Sequence, residues 1–163
     1  MANKIKNVLF LCMGNTCRSP CAEYISKGLK AEASHDGLKA VEFDSAGFFN
    51  YFKGAQPETK EFIESKGIDM GDFKSKIVDK ALLEKADLII GMQKRHKRRV
   101  LRKFKEIDGL EEKVHILKEY AGETENIDIE DPFQKDKETY FKILKSVEKY
   151  TNKAVEKIKN INT

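Results

Sequence analysis

A short, unbroken run of apolar residues, followed at once by the start of a helix, limits most strongly what this chain can fold into. Residues 8–11 read Val-Leu-Phe-Leu, which is typical of a strand buried on both faces of a parallel sheet. Ser19 is placed to cap a helix, and Pro20 suits its first position. Apolar residues then recur at helical spacing, at Ala22, Ile25, Leu29 and Ala33. The pattern predicts a strand, a tight loop and a helix, in that order.

The same alternation continues along the chain. Strands are predicted at residues 41–45, 88–91 and 114–117, helices at 57–67 and 94–104, and a long amphipathic helix from Glu138 onward. This order predicts a doubly wound three-layer α/β domain with a central, mainly four-stranded parallel sheet and a long C-terminal helix. We expect residues 1–163 to form one domain. Its ligand should bind beyond the carboxyl ends of the strands, where the first loop lies.

Composition narrows the class of protein. The 163 residues contain no run of the ~20 apolar residues that a membrane span needs, and the N-terminus lacks a signal-peptide core. All three cysteines precede position 22, so they cannot form a disulfide framework, and we expect a reducing, cytoplasmic location. The net charge of +4, from 31 basic and 27 acidic residues, favours anionic partners without requiring nucleic acid.

The loop between the first strand and the first helix has the features of an anion site. It reads Cys-Met-Gly-Asn-Thr-Cys-Arg-Ser-Pro from position 12 to position 20. Gly14 and Asn15 readily accept left-handed backbone angles, which let successive N–H groups turn inward as a cradle. The N-terminus of the following helix adds further free N–H groups and the positive end of its dipole. A dianion such as phosphate would be stabilised by both.

Three side chains of this loop suggest nucleophilic chemistry. The helix N-terminus and Arg18 favour the thiolate form of Cys12, which is the nucleophilic form. Arg18 can offer a bidentate fork to two phosphate oxygens, and the Ser19 hydroxyl can donate to the sulfur when it leaves. Taken singly, a strand-end cysteine is more often buried and an arginine more often a surface residue. Their combination at a strand-to-helix turn favours the functional interpretation.

The chain resembles the low-molecular-weight protein tyrosine phosphatases. The resemblance rests on residues 8–20, and it extends to Asp-Ser-Ala-Gly at 44–47, to the strand ending in Gly91-Met92, and to Glu-Asp-Pro-Phe at 130–133. It implies metal-independent hydrolysis of phosphotyrosine in proteins through a thiophosphoryl-cysteine intermediate, with Cys12 as nucleophile and Arg18 as phosphate clamp. It implies that the other loop residues bind phosphate, namely Met13, Gly14, Asn15, Thr16, Cys17 and Ser19.

The general acid and the pocket walls also follow from the resemblance. A positioned carboxylic acid that protonates the leaving oxygen contributes about 10²–10⁴-fold. The resemblance implies that Asp131 has this role, and Glu130 is the alternative to test. Tyr51 and Phe133 match the aromatic walls of the family's substrate pocket. Nearby aromatics could contribute, although such clusters are more often core, and these are Phe48, Phe49 and Phe52.

The chain departs from the family in two places. Residues 72–76 read Asp-Phe-Lys-Ser-Lys where many members carry a histidine and an arginine, and Gln93 replaces an acid after Met92. These changes put in doubt the hydrogen-bond network that steadies Asn15 and Ser45. The second loop cysteine is present, and Cys17 could bond Cys12 under oxidation and protect it from irreversible damage. Cys21 is a further candidate that could equally be packed in the helix.

Two other functions are consistent with parts of the sequence. Arsenate reductases on this scaffold need resolving cysteines near residues 81–91, where the chain has none. The basic run at 94–99 could bind nucleic acid, but no aromatic interleaves it, and a solvated helix face that steers anionic phosphoproteins fits it better. His35, His96 and His115 lack metal-ligand spacing, so we predict no metal and no cofactor.

The predicted partners follow from the reaction. We expect phosphotyrosine proteins or peptides as substrates and inorganic phosphate as a product inhibitor. We expect no binding to nucleic acid or to membranes. The sequence leaves the oligomeric state open, and a monomer is the simplest expectation.

Overall fold

The computed structural model describes residues 3–34 and 36–163 of the chain. Four strands form one sheet, β1 (Asn7–Cys12), β2 (Glu42–Gly47), β3 (Leu88–Gly91) and β4 (Val114–Ile116). Their order is β2-β1-β3-β4, and every pairing is parallel. The four-stranded parallel sheet predicted from the sequence is confirmed.

Helices cover both faces of this sheet. They are α1 (Arg18–Glu32), α2 (Asp36–Lys39), α3 (Pro57–Glu64), α4 (Lys80–Lys85), α5 (Lys94–Lys103), α6 (Leu110–Lys113), α7 (Leu117–Tyr120) and α8 (Lys137–Asn162). Helices α1, α2, α3, α7 and α8 pack on one face, and α4, α5 and α6 pack on the other. The three-layer doubly wound architecture and the long C-terminal helix are therefore confirmed.

The central strand β1 explains why the N-terminal run carries no polar position. Side chains alternate along a strand, so Val8 and Phe10 enter the core beneath α1 and α8. Leu9 and Leu11 enter the core beneath α4 and α5. All four are at most 2% exposed. Burial on both faces fixes the strand, and its carboxyl end delivers Cys12 to the edge of the sheet.

The structure corrects the predicted cap of the first helix. Ser19 does not cap it, because α1 already begins at Arg18, and its N-cap residue Cys17 makes no side-chain cap bond. The Ser19 hydroxyl instead lies against Cys12 and Asn15. Pro20 is the third residue of α1, two positions beyond the first position that the sequence predicted for it. The side chain of Ser19 therefore contacts other residues of the loop instead of capping α1.

Other differences from the predicted elements are local. The helix predicted at 57–67 ends at Glu64, and the segment to Gly67, which has a φ of 77°, forms a turn. Strand β4 ends one residue early, because Leu117 begins α7. Helices α2, α4, α6 and α7 were not predicted, since four to six residues are too few for a periodic pattern.

Two further expectations concern membrane spans and metal ligands. Within the described residues, no helix combines the length and the apolar character needed to cross a membrane. His35, which was considered as a metal ligand, lies outside the described residues.

Candidate active site

Cys12 stands at the carboxyl end of β1, where the chain turns into α1. Its side chain is buried, and its Sγ lies 2.8 Å from Ser19 Oγ, with either atom able to donate. The backbone N–H of Ser19 donates to the same sulfur at 3.4 Å. Two groups at the N-terminus of α1 therefore face the sulfur, and both are able to stabilise negative charge on it.

Asn15 fixes the shape of the loop. It has a φ of 56°, so Asn15, and not Gly14, adopts the left-handed conformation that the sequence allowed for both. Its Nδ2 donates to Ser19 Oγ and to Ser45 Oγ, each at 2.9 Å. Its Oδ1 accepts from the N–H of Lys76 at 3.0 Å. This buried side chain ties the loop to β2 and to the segment after α3, and it stabilises a backbone angle that few residues adopt.

The network extends from Asn15 to an ion pair between buried Glu23 and exposed Lys27. Ser45 Oγ donates to Glu23 Oε1 at 2.5 Å, and Lys27 Nζ pairs with Glu23 Oε2 at 2.5 Å. Burial raises the pKa of Glu23, and hydrogen bonds from Lys27 and Ser45 oppose that shift. Despite the missing histidine, Asn15 and Ser45 are therefore held. Sequence reasoning missed Glu23, whose signal was an acidic residue on the buried face of α1 beside Ala22.

Arg18 is oriented by hydrogen bonds through one of its guanidinium nitrogens, while another nitrogen has no partner in the part of the chain that the structure describes. The side chain is 1% exposed, and its Nη1 donates to Gln93 Oε1 and to the carbonyl of Ile129, each at 2.7 Å. Its Nη2 lies 3.7 Å from Asp131 Oδ2. Its Nε is buried and has no hydrogen-bond partner among the described residues. The guanidinium therefore keeps donors for a bound oxyanion, as a bidentate phosphate contact requires.

Gln93 connects the site to the helix that follows it. Its Oε1 accepts from Arg18 Nη1 and also from Arg95 Nε at 3.0 Å. Gln93 is the N-cap residue of α5, in a reciprocal cap with His96. The departure from the family's acid thus leaves Arg18 oriented by a neutral acceptor.

Asp131 is the acidic side chain that reaches the cavity. It lies on the loop between α7 and α8, is 39% exposed, and accepts from the N–H of Phe133 at 3.0 Å through Oδ1. Glu130 points elsewhere and lies 3.8 Å from Lys135 Nζ. Of these two neighbouring acids, only Asp131 lines the cavity. The geometry therefore favours Asp131 as the proton donor and acceptor of the site.

A cavity of about 120 Å³ opens over the loop. Its floor and sides are formed by Cys12, Met13, Gly14, Thr16, Cys17 and Arg18. Tyr51, Phe52 and Phe133 form an aromatic wall, in which the rings of Phe52 and Phe133 are 5.9 Å apart. Sequence reasoning named Tyr51 and Phe133 as walls and held Phe52 as a possible contributor. Phe48 is buried in the core, and Phe49 supports Tyr51 from outside the cavity at 5.5 Å.

The other cysteines differ from Cys12 in their surroundings. All three are free thiols. Cys17 borders the cavity, and burial raises its pKa to about 11, so it is protonated at neutral pH. Cys21 is fully buried in the core, which raises its pKa further, and it does not line the cavity. Cys17 is therefore the cysteine beside the site that could act as a partner for Cys12.

The two described histidines contact other groups of the protein. His96 is buried, and its Nδ1 accepts from the N–H groups of Met92 and Gln93, each at 3.1 Å. His115 packs against Tyr120. In the described part of the chain, no three side chains of the His, Cys, Asp or Glu type gather in a way that could hold a metal ion.

Comparison with known proteins assigns the family. Residues 7–162 match the family model described as low molecular weight phosphotyrosine protein phosphatase. The chain belongs to this family. It is thus a metal-independent phosphatase of the low-molecular-weight class, and the class hydrolyses phosphorylated proteins.

Known relatives of this low-molecular-weight phosphatase are named either as arginine phosphatases or as tyrosine phosphatases. A protein-arginine-phosphatase of Bacillus subtilis is 36% identical over 128 residues, which are 78% of this chain and 79% of the relative. A low molecular weight phosphotyrosine protein phosphatase of Gallus gallus is 30% identical over 145 residues, or 86% of this chain and 89% of the relative.

Solved structures show the same two kinds. The YwlE arginine phosphatase from Geobacillus stearothermophilus superposes with a TM-score of 0.81 at 28% identity, covering 94% of this chain and 93% of that one. The low molecular weight protein tyrosine phosphatase from T. tengcongensis gives 0.79 at 35% identity, covering 93% and 98%.

Proposed function

We propose that this protein hydrolyses phosphotyrosine in proteins through a thiophosphoryl intermediate on Cys12. The observation that carries the proposal is the buried Arg18 guanidinium, whose Nε has no hydrogen-bond partner among the described residues. Arg18 lines the same cavity as Cys12. The aromatic wall of Tyr51, Phe52 and Phe133 suits a flat ring, because stacking adds apolar contact area.

In the first step the Cys12 thiolate attacks phosphorus from the side opposite the phenolic oxygen. The S–P bond forms while the P–O bond to the phenol breaks, and Asp131 donates its proton to the departing oxygen. Charge on the non-bridging oxygens is stabilised by Arg18 and by the N–H groups of the loop, which are already oriented before the reaction. Met13, Gly14, Asn15, Thr16, Cys17 and Ser19 supply this cradle.

In the second step the Asp131 carboxylate removes a proton from water. The water oxygen attacks phosphorus, the S–P bond breaks, and its electron pair returns to Cys12 as a thiolate. Ser19 Oγ, 2.8 Å from the sulfur, donates to that charge and makes the sulfur a better leaving group. The released phosphate fits the cradle that bound the phosphoryl group, so inorganic phosphate should inhibit competitively.

Phosphoarginine is a second candidate substrate. Two observations favour it: the arginine phosphatases among the relatives, and the side chains of Thr16 and Asp131 at the cavity. A phosphorylated guanidinium carries N–H donors that a phenol ring lacks, and these two side chains offer oxygen acceptors for them. A buried acceptor left unpaired discriminates against the substrate that lacks the donor, and of these two side chains only Thr16 is buried.

The test compares three substrates with matched variants. Reduced enzyme is incubated, in buffer that contains a chelator, with para-nitrophenyl phosphate and with two peptides. The peptides have the same sequence and carry either phosphotyrosine or phosphoarginine. We expect wild type to hydrolyse the phosphotyrosine peptide and Cys12→Ser to hydrolyse none. Asp131→Asn should lose about 10²–10⁴-fold in kcat, whereas the control Glu130→Gln should be unchanged.

Two results would count against the proposal. Full turnover by Cys12→Ser would remove the cysteine mechanism. A wild-type kcat/KM at least tenfold higher on the phosphoarginine peptide would replace tyrosine by arginine as the substrate.

A further inference from the structure

The positive charge of this protein is concentrated in one helix. Seven of the ten residues of α5 are basic, and none is acidic. The seven are Lys94, Arg95, Lys97, Arg98, Arg99, Arg102 and Lys103. Without them, the 24 other basic residues are outnumbered by 27 acidic residues. The net charge of +4 therefore depends on this helix alone.

These cations have no anionic partner among the side chains that the structure describes. None of them forms an ion pair within 4 Å with any residue of the described ranges 3–34 and 36–163. The buried side of α5 is formed by His96 and Val100, so the basic side chains lie on its outer side. We call these seven residues the α5 cationic face. Placing like charges together destabilises a helix, which suggests that this face serves a partner.

One contact joins the α5 cationic face to the phosphate site. Gln93 Oε1 accepts from Arg95 Nε at 3.0 Å and from Arg18 Nη1 at 2.7 Å. Arg95 is exposed, whereas Arg18 is buried beneath the cavity. A single amide thus separates the first arginine of the face from the arginine that would hold the phosphate.

A second contact joins the face to the wall of the cavity. The Arg99 guanidinium lies 4.6 Å from the centre of the Phe49 ring, which stacks on Tyr51 at 5.5 Å. Arg99 therefore lies within about 10 Å of the Tyr51 ring. An extended peptide advances ~3.3–3.6 Å per residue, so roughly three residues span this distance.

We propose that the α5 cationic face binds carboxylate side chains about three residues away from the phosphorylated residue of a substrate protein. The inference rests on the proposed function, since it extends the substrate beyond the cavity. Arg95 and Arg99 are the nearest members, and arginine can bind a carboxylate through two parallel hydrogen bonds. Complementary charge would also speed the encounter with acidic segments. Continuity with the cavity favours a substrate protein over nucleic acid.

The experiment uses two phosphotyrosine peptides that differ only in having glutamate or glutamine at the third and fourth positions on each side. The Arg95→Gln, Arg99→Gln double variant is compared with wild type. The control is Lys149→Gln, Lys153→Gln on α8, which likewise removes two cations four residues apart, here both exposed and on the opposite face of the sheet. The kcat/KM ratio of the two peptides is measured for each protein, and their Kd values are measured on each background carrying Cys12→Ser.

We expect wild type and the α8 control to prefer the acidic peptide by roughly three- to tenfold at low salt. The α5 double variant should lose the preference, and about 0.5 M salt should abolish it in every protein. Equal Kd values for the two peptides in the Cys12→Ser protein would overturn the inference. So would tight binding of a duplex oligonucleotide with no preference for the acidic peptide, which would indicate nucleic acid instead.

The two proposals fail in different ways. If wild type hydrolyses neither peptide nor para-nitrophenyl phosphate, the proposed function is wrong, and the Kd ratio still decides whether the face binds acidic peptides. If all three substrates are hydrolysed with no acidic preference, the function stands and the binding face does not.

Discussion

Replacing Gly47 by alanine should displace the backbone of the candidate phosphate-binding loop. Gly47 ends β2 and pairs with Cys12 in the sheet. A Cβ built there would lie 2.7 Å from the backbone nitrogen of Asn15 and 2.9 Å from the carbonyl oxygen of Met13. Both are backbone atoms of the loop, so no side chain can rotate away to make room.

The expected size of the effect follows from these distances. Ordinary contact begins near 3.4 Å, so the loop and β2 must separate by about 0.7 Å. Such overpacking costs about 1–3 kcal/mol, or a fall in Tm of roughly 3–10 °C for a chain of this length. A misplacement of ~1 Å can reduce rate about 10²-fold, and we therefore expect kcat/KM to fall by roughly 10–100-fold.

The assay is kcat/KM on para-nitrophenyl phosphate together with the Tm of the same preparation. Gly54→Ala is the matched control, because its Cβ would meet nothing nearer than the Phe73 carbonyl at 3.9 Å, and it should change neither quantity. A Gly47→Ala protein with wild-type kcat/KM and Tm would refute the reasoning that this close approach positions the loop.

Three further predictions test other parts of the structure. Asn15→Ala should lose about 2–4 kcal/mol of unfolding free energy and most activity, because its three side-chain hydrogen bonds are lost. Asn15→Gly should be ~1 kcal/mol more stable than Asn15→Ala, because glycine adopts the left-handed φ without strain. Equal urea midpoints for the two variants would contradict this. Burial, with Arg18 nearby, lowers the pKa of His96 to about 2, so below pH ~6.5 only the unfolded chain takes up this proton and stability falls. Urea unfolding at pH 6.5 and 5.0 should show wild type losing about 2 kcal/mol more than His96→Asn. After inactivation by peroxide, dithiothreitol should restore the activity of wild type but not that of Cys17→Ser. Equal recovery of activity in the two proteins would argue against a Cys12–Cys17 disulfide.

Much of the fold could be predicted because its signals are local. The apolar run of β1 shows no alternation since both faces are buried, and the long spacing pattern of α8 repeats over seven turns. The bounds of β3 were predicted to the residue. Four-residue helices such as α6 and α7 could not be predicted, because their residues are placed by tertiary packing rather than by a repeating pattern.

The residues of the candidate site also differ in how far the local sequence predicts them. The loop residues from Cys12 to Ser19 could be proposed from sequence, because the anion cradle is built by consecutive backbone groups and one helix terminus. Asp131, Tyr51 and Phe133 could be proposed only through the family resemblance. The aspartate in particular is one of 27 acidic residues, and nothing local distinguishes it.

By itself, the sequence determined the order of the four strands and the longer helices, and it indicated the candidate anion-binding loop and the candidate nucleophile. The tertiary structure alone decided how Arg18 is held, since Gln93 and the carbonyl of Ile129 are 75 and 111 residues away. It also placed Glu23 behind Ser45 and brought Gly47 against Asn15. These contacts depend on the parallel β2-β1-β3-β4 order, which brings distant segments to one edge of the sheet. No local pattern records such contacts, because residues far apart in the chain meet only after the sheet has formed.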